Sequence, residues 1–338
     1  MFKPLLSKIM HRENLTEIEM SQMMMEIFSG KITDAQIGAF MGSLATKGET
    51  FEELAGAATA MRRKAHRIET MAPTLVDIVG TGGDGAKTFN ISTTTAFVVA
   101  GCGVTVAKHG NRSVSSQCGS ADVLEALGVK IDVDPEIVEE AIAEIGIGFL
   151  FAPIYHSAMR FAANARKEIG LRSIFNMLGP LTNPASANCL LIGVFAPELT
   201  EMFAQALKLL GARRAFVVYG QDGLDEITVC APTRVSELKE GQIRTYDITP
   251  EQFFGQAADP GALTGGPPLE NAEILKQILK GDTGPRRDVV LINAAVALTA
   301  AEKAADLTAG IKMAQTSIDS GAALSKLNAL IDFTRENG

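Results

Sequence analysis

Tryptophan is absent from the 338-residue chain and only three tyrosines occur, so few flat aromatic surfaces exist on which single-stranded nucleic acid could stack. Basic residues do not predominate either. The 31 Lys and Arg against 39 Asp and Glu leave a formal charge of -8, which argues against a phosphate-tracking surface and confines any phosphate site to a local cluster. The four cysteines, Cys102, Cys118, Cys189 and Cys230, are scattered, without a CxxC pair or a histidine at ligand spacing. That excludes a zinc site or a disulfide framework and points to reduced thiols. No run reaches the ~18 apolar residues of a membrane span. The opening MFKPLLSKIMHREN lacks the apolar core and small-residue cleavage site of a secretory signal, so a cytoplasmic protein is expected.

What the chain does have is hydrophobic residues, 46% of the total, enough to build two domains or one large domain with a helical attachment. The first seventy residues repeat one device: TEIE at Thr16, TDAQ at Thr33 and TFEE at Thr50. Each is a capping box, in which the Thr hydroxyl and the Glu or Gln three residues on satisfy each other's backbone amides at a helix start. Gly30 and Gly48 fall where the preceding helices should stop, and Ile18, Met24, Met25, Ile27 and Phe28 recur at helical spacing. A small helical domain over 1–70 is expected, joined by helices from about 165–188. The methionines at 23–25 read as core filling or a dimer face rather than a site for another partner.

From Thr74 the texture changes to short apolar runs that end in glycine and give way to helical stretches: TLVDIVG, TAFVVAGCGVTVAKHG, CLLIGVFAP, RAFVVYG and DVVLINAAVALTAAEKA. Strands alternating with helices imply an α/β domain over 73–338 around a mostly parallel sheet, with ligands at the carboxyl ends of the strands. The polar, Gly/Pro-rich stretch at 231–290 reads as peripheral loops and edge strands.

Three segments carry chemistry. GTGGDGAKTFNIST, from Gly80 to Thr93, follows an apolar strand and opens an apolar helix. Its glycines let consecutive amides line an anion nest, and Ser92 and Thr93 sit at the helix start, where free amides suit phosphate. It is neither a Walker loop nor GxGxxG, and the plain alternative is a capped strand-to-helix turn. KHGNRSVSSQCGSADVLEALG, from Lys108 to Gly128, reads as a loop after the strand VTVA. It places Lys108, His109 and Arg112 among serines, which suits a polyanion; the alternative is a solvated basic face. DGLDEIT sets Asp225 beside Glu226. Adjacent strand residues point to opposite faces, so both acids can serve one site only in a turn. Magnesium accepts such sparse carboxylate ligation together with water and substrate phosphate; the alternative is an acidic surface turn.

Taken together, GTGGD with NIST, KHGNR with GSADVLEALG, FNMLGPLTNP and DGLDEIT resemble, in order and approximate spacing, the anthranilate phosphoribosyltransferase family. The resemblance covers almost the whole chain. It implies a Mg2+-dependent homodimer of nucleoside-phosphorylase-like fold. The implied reaction joins anthranilate to phosphoribosyl pyrophosphate, yielding N-(5-phosphoribosyl)anthranilate and pyrophosphate in tryptophan biosynthesis.

Matched motif by motif, the resemblance implies that the donor is held by Gly80, Gly83, Asp84 and Thr88, by Asn90, Ile91, Ser92 and Thr93, and by Lys108, His109, Gly110, Asn111 and Arg112. Ser113, Val114, Ser115, Ser116 and Ser120 complete that set. It implies Gly80, Asn111 and Arg166 for anthranilate, with His109, Pro153, Tyr155 and Gly179 as neighbours of the acceptor. Ser92, Asp225 and Glu226 become the metal ligands. Gln117 and Cys118 replace the Lys-Ser frequent in that loop, and Tyr219 a frequent His; the lost lysine weakens charge complementarity to pyrophosphate. No side chain is implied as an essential nucleophile or base.

Two rival readings share this fold. A pyrimidine nucleoside phosphorylase has a glycine-rich phosphate loop, but NIST, KHGNR and the Asp-Glu pair suit a metal-bound pyrophosphate better than one inorganic phosphate. A non-catalytic nucleic-acid-binding relative should be basic and should have lost the metal carboxylates. A phosphoribosyltransferase of the other structural type should show a double-acid, threonine-glycine loop, and none is present.

Overall fold

The computed structural model describes residues 1–83, 85–113 and 117–338, Pro260 by its backbone alone. Four helices come first: α1 (Phe2–Met10), α2 (Glu17–Ile27), α3 (Asp34–Lys47) and α4 (Phe51–Lys64). The middle of the chain then alternates: β1 (Leu75–Gly80), α5 (Ile91–Gly101), β2 (Thr105–Gly110), α6 (Ser120–Leu127), α7 (Pro135–Glu144), β3 (Ile147–Phe151), α8 (Ala152–Tyr155), α9 (Arg160–Ile169) and α10 (Ile174–Leu178). After it come β4 (Cys189–Gly193), α11 (Leu199–Leu209), β5 (Arg214–Gly220), β6 (Thr233–Lys239), β7 (Gln242–Ile248) and α12 (Glu251–Phe254). Four helices close the described chain: α13 (Pro268–Leu279), α14 (Pro285–Ala300), α15 (Leu307–Asp319) and α16 (Ala322–Asn337).

All three capping boxes form. The amides of Glu19, Gln36 and Glu53 donate to the hydroxyls of Thr16, Thr33 and Thr50, and the side chains at N3 accept the Thr amides in return. Such caps are each worth about 0.5–2 kcal/mol. The third does more. Glu53 is wholly buried, accepts the Leu15 amide at 2.9 Å and pairs with Lys47 at 2.9 Å, so it ties the α1–α2 connection to α4. Met23 and Met24 are buried in this bundle, which makes them core. Ile18, in contrast, is 70% exposed: it lies on the outer face of α2, away from the buried row Met20, Met23, Met24 and Ile27.

The sheet has the order β3-β2-β1-β4-β5-β6-β7, parallel from β3 to β5 and antiparallel for the last two strands. The period of two along each strand divides the core in two. Val76, Ile78, Val106, Leu191 and Phe216 join one apolar cluster, with α5, α14 and the C-terminal helices. Leu75, Ala107, Leu190, Ile192 and Ala215 join the other, with α11 and the N-terminal bundle. The fold is thus a small helical domain beside a larger α/β domain. α9 packs on α3, and α10 on α3 and α4.

Two stretches differ from expectation. The apolar run DVVLINAAVALTA is one 16-residue helix, α14, with Pro285 at its start and nearly every residue buried; a helix buried on all sides has the composition of a buried strand and differs from it only in length. The polar 231–290 region supplies the edge strands β6 and β7 and also the helix α13. No helix among the described residues is long and apolar enough to cross a membrane.

Candidate functional site

The carboxyl ends of β1, β2 and β4 meet the Asp225–Glu226 turn. β1 delivers Gly80 and β4 delivers Gly193, paired in register. A Cβ on either would collide with Asp225, so the two glycines are what allow the acidic turn to lie directly on the strand ends. From there Asp225 Oδ2 accepts the Gly82 amide at 2.7 Å, and Glu226 Oε1 accepts the Ser92 amide, at the start of α5, at 3.1 Å. The pair therefore lies outside any strand, with one carboxylate on the glycine loop and the other on the start of α5. Behind it, Asn293 of α14 holds Ile227 through both its backbone groups, at 3.2 and 2.8 Å.

Lys108 and His109 belong to the end of β2 and not to the loop after it, and both are buried. Lys108 Nζ donates to the Ile78 carbonyl at 2.6 Å and to Ser92 Oγ at 3.2 Å. Burial lowers its pKa, opposed by the charges of Asp77, Glu226 and Asp225. Asp77, on β1, is wholly buried and accepts the His109 amide at 3.1 Å and Asn183 Nδ2 at 2.7 Å. Burial pushes its carboxyl up to about 6, against the pull of Lys108. His109 turns to the other face, where Nδ1 lies 3.1 Å from the Gly179 carbonyl and its ring is 5.1 Å from that of His156. Burial drives His109 down to about 3 and His156 down to about 4, so both are neutral imidazoles.

The remaining sequence-predicted donor residues fall around this centre. Asn90 Nδ2 donates to the Cys118 carbonyl at 3.2 Å and its Oδ1 accepts from Asn271 at 3.0 Å, tying the start of α5 to the loop before α6 and to α13. Thr88 bridges to Thr264 beside a cavity of ≈ 170 Å³ that Lys87 and Asp222 also line. Ile91 and Thr93 face the core. Gly110 ends β2, and Ser120 Oγ donates to the Asn111 carbonyl at 3.2 Å. Ser113 and Gly119 both give their amides to Asp122, at 3.0 and 2.8 Å. Arg112 lies at the exposed rim, paired with Asp122 at 3.1 Å and Glu125 at 2.8 Å. Asp84, Val114, Ser115 and Ser116 lie outside the described residues.

Of the residues expected near the acceptor, His109 lies against Gly179. Arg166, at the last turn of α9, stacks over Phe175 at 5.6 Å and forms no ion pair with any described residue. Tyr155 is buried against His66, ring centroids 6.5 Å apart, while Pro153 is exposed. Asp77, Asn183, His156 and Asn293 were not singled out from sequence. Asp77 and Asn293 had a signal, a lone polar residue inside an apolar run; Asn183 had none beyond lying in the FNMLGPLTNP segment, and His156 none beyond following Tyr155.

The donor atoms around the acidic turn are all oxygen: two carboxylates and the Ser92 hydroxyl. Among the described residues no group of three His, Cys, Asp or Glu converges as a protein-only metal site. An all-oxygen set with few protein ligands fits magnesium, which keeps several waters and binds substrate phosphate, and does not fit zinc.

A helical bundle beside a sheet whose strand ends carry amides, a buried lysine and a carboxylate pair defines a glycosyl-transferring enzyme that handles an anionic sugar. Family models agree with both parts: "Glycosyl transferase family, helical bundle domain" matches residues 3–65, and "Glycosyl transferase family, a/b domain" matches 72–324. The chain is 68% identical to an anthranilate phosphoribosyltransferase of Syntrophobacter fumaroxidans over 332 residues, 98% of each chain. The crystal structure of the anthranilate phosphoribosyltransferase from Thermus thermophilus superposes with a TM-score of 0.93 at 43% identity, covering 98% of this chain and 99% of that one. A Saccharomyces cerevisiae anthranilate phosphoribosyltransferase in complex with PRPP and Mg superposes with a TM-score of 0.89 at 29% identity, covering 99% of both. The chain belongs to the anthranilate phosphoribosyltransferase family.

Proposed function

We propose that the strand ends around Asp225 and Glu226 are the donor side of a phosphoribosyl-transfer site, and that the face carrying His109, Gly179 and Arg166 is its acceptor side. The chain transfers the 5-phosphoribosyl group of phosphoribosyl pyrophosphate to the amine of anthranilate, in tryptophan biosynthesis. The observation that carries the donor assignment is the docking of both carboxylates onto the amides of Gly82 and Ser92. It joins the glycine loop, the α5 start and the acidic turn into one polar surface beside Lys108.

In this reading Ser92, Asp225 and Glu226 hold Mg2+, which when bound neutralises charge on the pyrophosphate oxygens. The glycine-loop amides and Lys108 are fixed before substrate arrives, so they stabilise the charge that builds as the C1–O bond breaks and cost no reorganisation. The anthranilate nitrogen forms the new bond to C1; the electron pair of the breaking bond leaves with pyrophosphate, and the amine's surplus proton is lost to solvent. Arg166 fixes the acceptor carboxylate through a charge-assisted pair and so aims the amine. His109 is neutral and buried, which suits a wall for the aromatic ring. The chain works as a helical unit, 1–70 joined by 165–188, closing against an α/β unit, 73–338. It functions in the cytoplasm as a homodimer whose contact uses outward residues of the bundle such as Ile18 and Met10, 70% and 64% exposed.

The test is direct: mix the protein with anthranilate, phosphoribosyl pyrophosphate and magnesium, and follow the loss of anthranilate fluorescence. Turnover should need all three. Equal turnover of thymidine with inorganic phosphate would favour the phosphorylase reading instead.

A further inference from the structure

Arg172 sits in the short connection between α9 and α10, six residues after Arg166. It leaves that segment to reach the other domain. Its Nη2 donates to the carbonyl of Gly83 in the glycine loop, and its guanidinium stacks over the Phe195 ring at 4.4 Å, just past the end of β4. Among the described residues no carboxylate forms an ion pair with it. At Gly83 the backbone is left-handed, φ 76°, and a Cβ there would stand 3.3 Å from Nη2, so the loop approaches the guanidinium closely.

We propose that Arg172 is a positioning residue that fixes the donor loop from the acceptor segment. A run of glycines has many conformations, and ordering it is costly in entropy. Asp225 holds the loop at the Gly82 amide. Arg172 holds the next residue's carbonyl, and the Phe195 ring stacked against it keeps the guanidinium oriented for that bond. Because α9 and α10 pack on the helical bundle, the loop takes its donor-binding form only when the bundle and its attached helices lie against the sheet. This inference rests on the donor and acceptor assignment above, and it gives the two substrates a physical link: the segment that aims the acceptor also sets the donor loop.

The experiment is steady-state kinetics of the full chain with Arg172→Ala, Arg172→Lys, Gly83→Ala and the double variant, together with melting temperatures and product inhibition by pyrophosphate. Loss of one charge-assisted hydrogen bond predicts a rise of about tenfold in KM for phosphoribosyl pyrophosphate in Arg172→Ala. The KM for anthranilate, kcat and the melting temperature should change little. Arg172→Lys should recover only part, because an ammonium cannot stack on Phe195 as a guanidinium does. Since the arginine acts through Gly83, Arg172→Ala should add little to Gly83→Ala. An unchanged donor KM, an equal rise in both KM values, or fully additive effects would overturn the proposal. Pyrophosphate inhibition should weaken in step with donor binding, because the ordered glycine-loop amides hold that group; inhibition left unchanged would likewise overturn the proposal. If the unsubstituted chain itself fails to turn over anthranilate, the functional reading has failed instead.

Discussion

Lys108 and His109 are neighbours in β2 and turn to opposite faces of the sheet. Lys108 Nζ reaches Ile78 and Ser92 on the α5 side, whereas His109 Nδ1 faces the Gly179 carbonyl on the bundle side. Strand geometry imposes this, and in the proposed reading one dipeptide at a strand end then serves both substrates.

Lys108→Met should therefore raise KM for phosphoribosyl pyrophosphate and spare KM for anthranilate. A hydrogen bond to a charged group is worth about 1.5–3 kcal/mol, so a rise of at least tenfold is expected. The same change also removes the cation nearest Asp77, whose carboxyl lies wholly buried, and should lower the melting temperature. Initial-rate kinetics with each substrate varied in turn checks the split; equal effects on both substrates would contradict it.

The buried histidines set how stability responds to acid. His109 and His156 have folded-state pKa values depressed to about 3 and about 4 from 6.5. Below 6.5 the unfolded chain binds protons that the folded chain refuses, so their stabilising contribution is complete above pH 6.5 and is lost as pH falls toward those values. At pH 5 the loss is about 2 kcal/mol per histidine. Asp77, raised to about 6, acts the other way: the folded chain takes its proton first, returning roughly 1 kcal/mol over the same interval. Melting temperatures should accordingly fall between pH 6.5 and 5. His156→Gln should remove roughly two-thirds of that fall, and an unchanged pH slope in this variant would exclude His156 as a source.

These electrostatics show where sequence reading stops. The three capping boxes were legible because each lies within four residues. The acidic turn was legible because strand periodicity forbids adjacent acids from sharing a face. Lys108 and His109 read as loop residues because charge ordinarily ends a strand; they remain inside β2 because Asp77, thirty-one residues earlier, lies beside Lys108 and accepts the His109 amide. A partner so distant leaves no local trace. Arg112 read as a phosphate ligand from its place among serines, yet Asp122 and Glu125 hold it at the rim. α14 misled because burial on all sides erases helical periodicity, leaving length and the leading Pro285 as its only marks.

Arg166 pairs with no described carboxylate, and burial lowers its pKa. A half-buried cation of this kind is best matched by the carboxylate of a ligand. Arg166→Ala should raise KM for anthranilate by about ten- to a hundredfold, equivalent to roughly 1.5–3 kcal/mol. Donor affinity should hardly move. A titration in which both affinities fall together would assign Arg166 to the wrong substrate.

Asp225 and Glu226 carry the last prediction. Donor phosphates bring several negative charges to a chain that is itself at -8, and Lys108 is the buried cation beside the turn. Charge balance therefore calls for divalent cations held at the two carboxylates. Asp225→Asn and Glu226→Gln should each raise the magnesium concentration for half-maximal rate and lower kcat. Both amides are close in size to the acids, and an amide oxygen can still accept the Gly82 or Ser92 amide, so the fold should persist and circular dichroism should match. The double variant should be slower than either single one. The two effects should nonetheless fall short of additive, because groups that act through one shared centre cannot each be lost in full twice. Rates and magnesium dependence left unchanged in folded variants would reduce the pair to a structural staple for the glycine loop and α5.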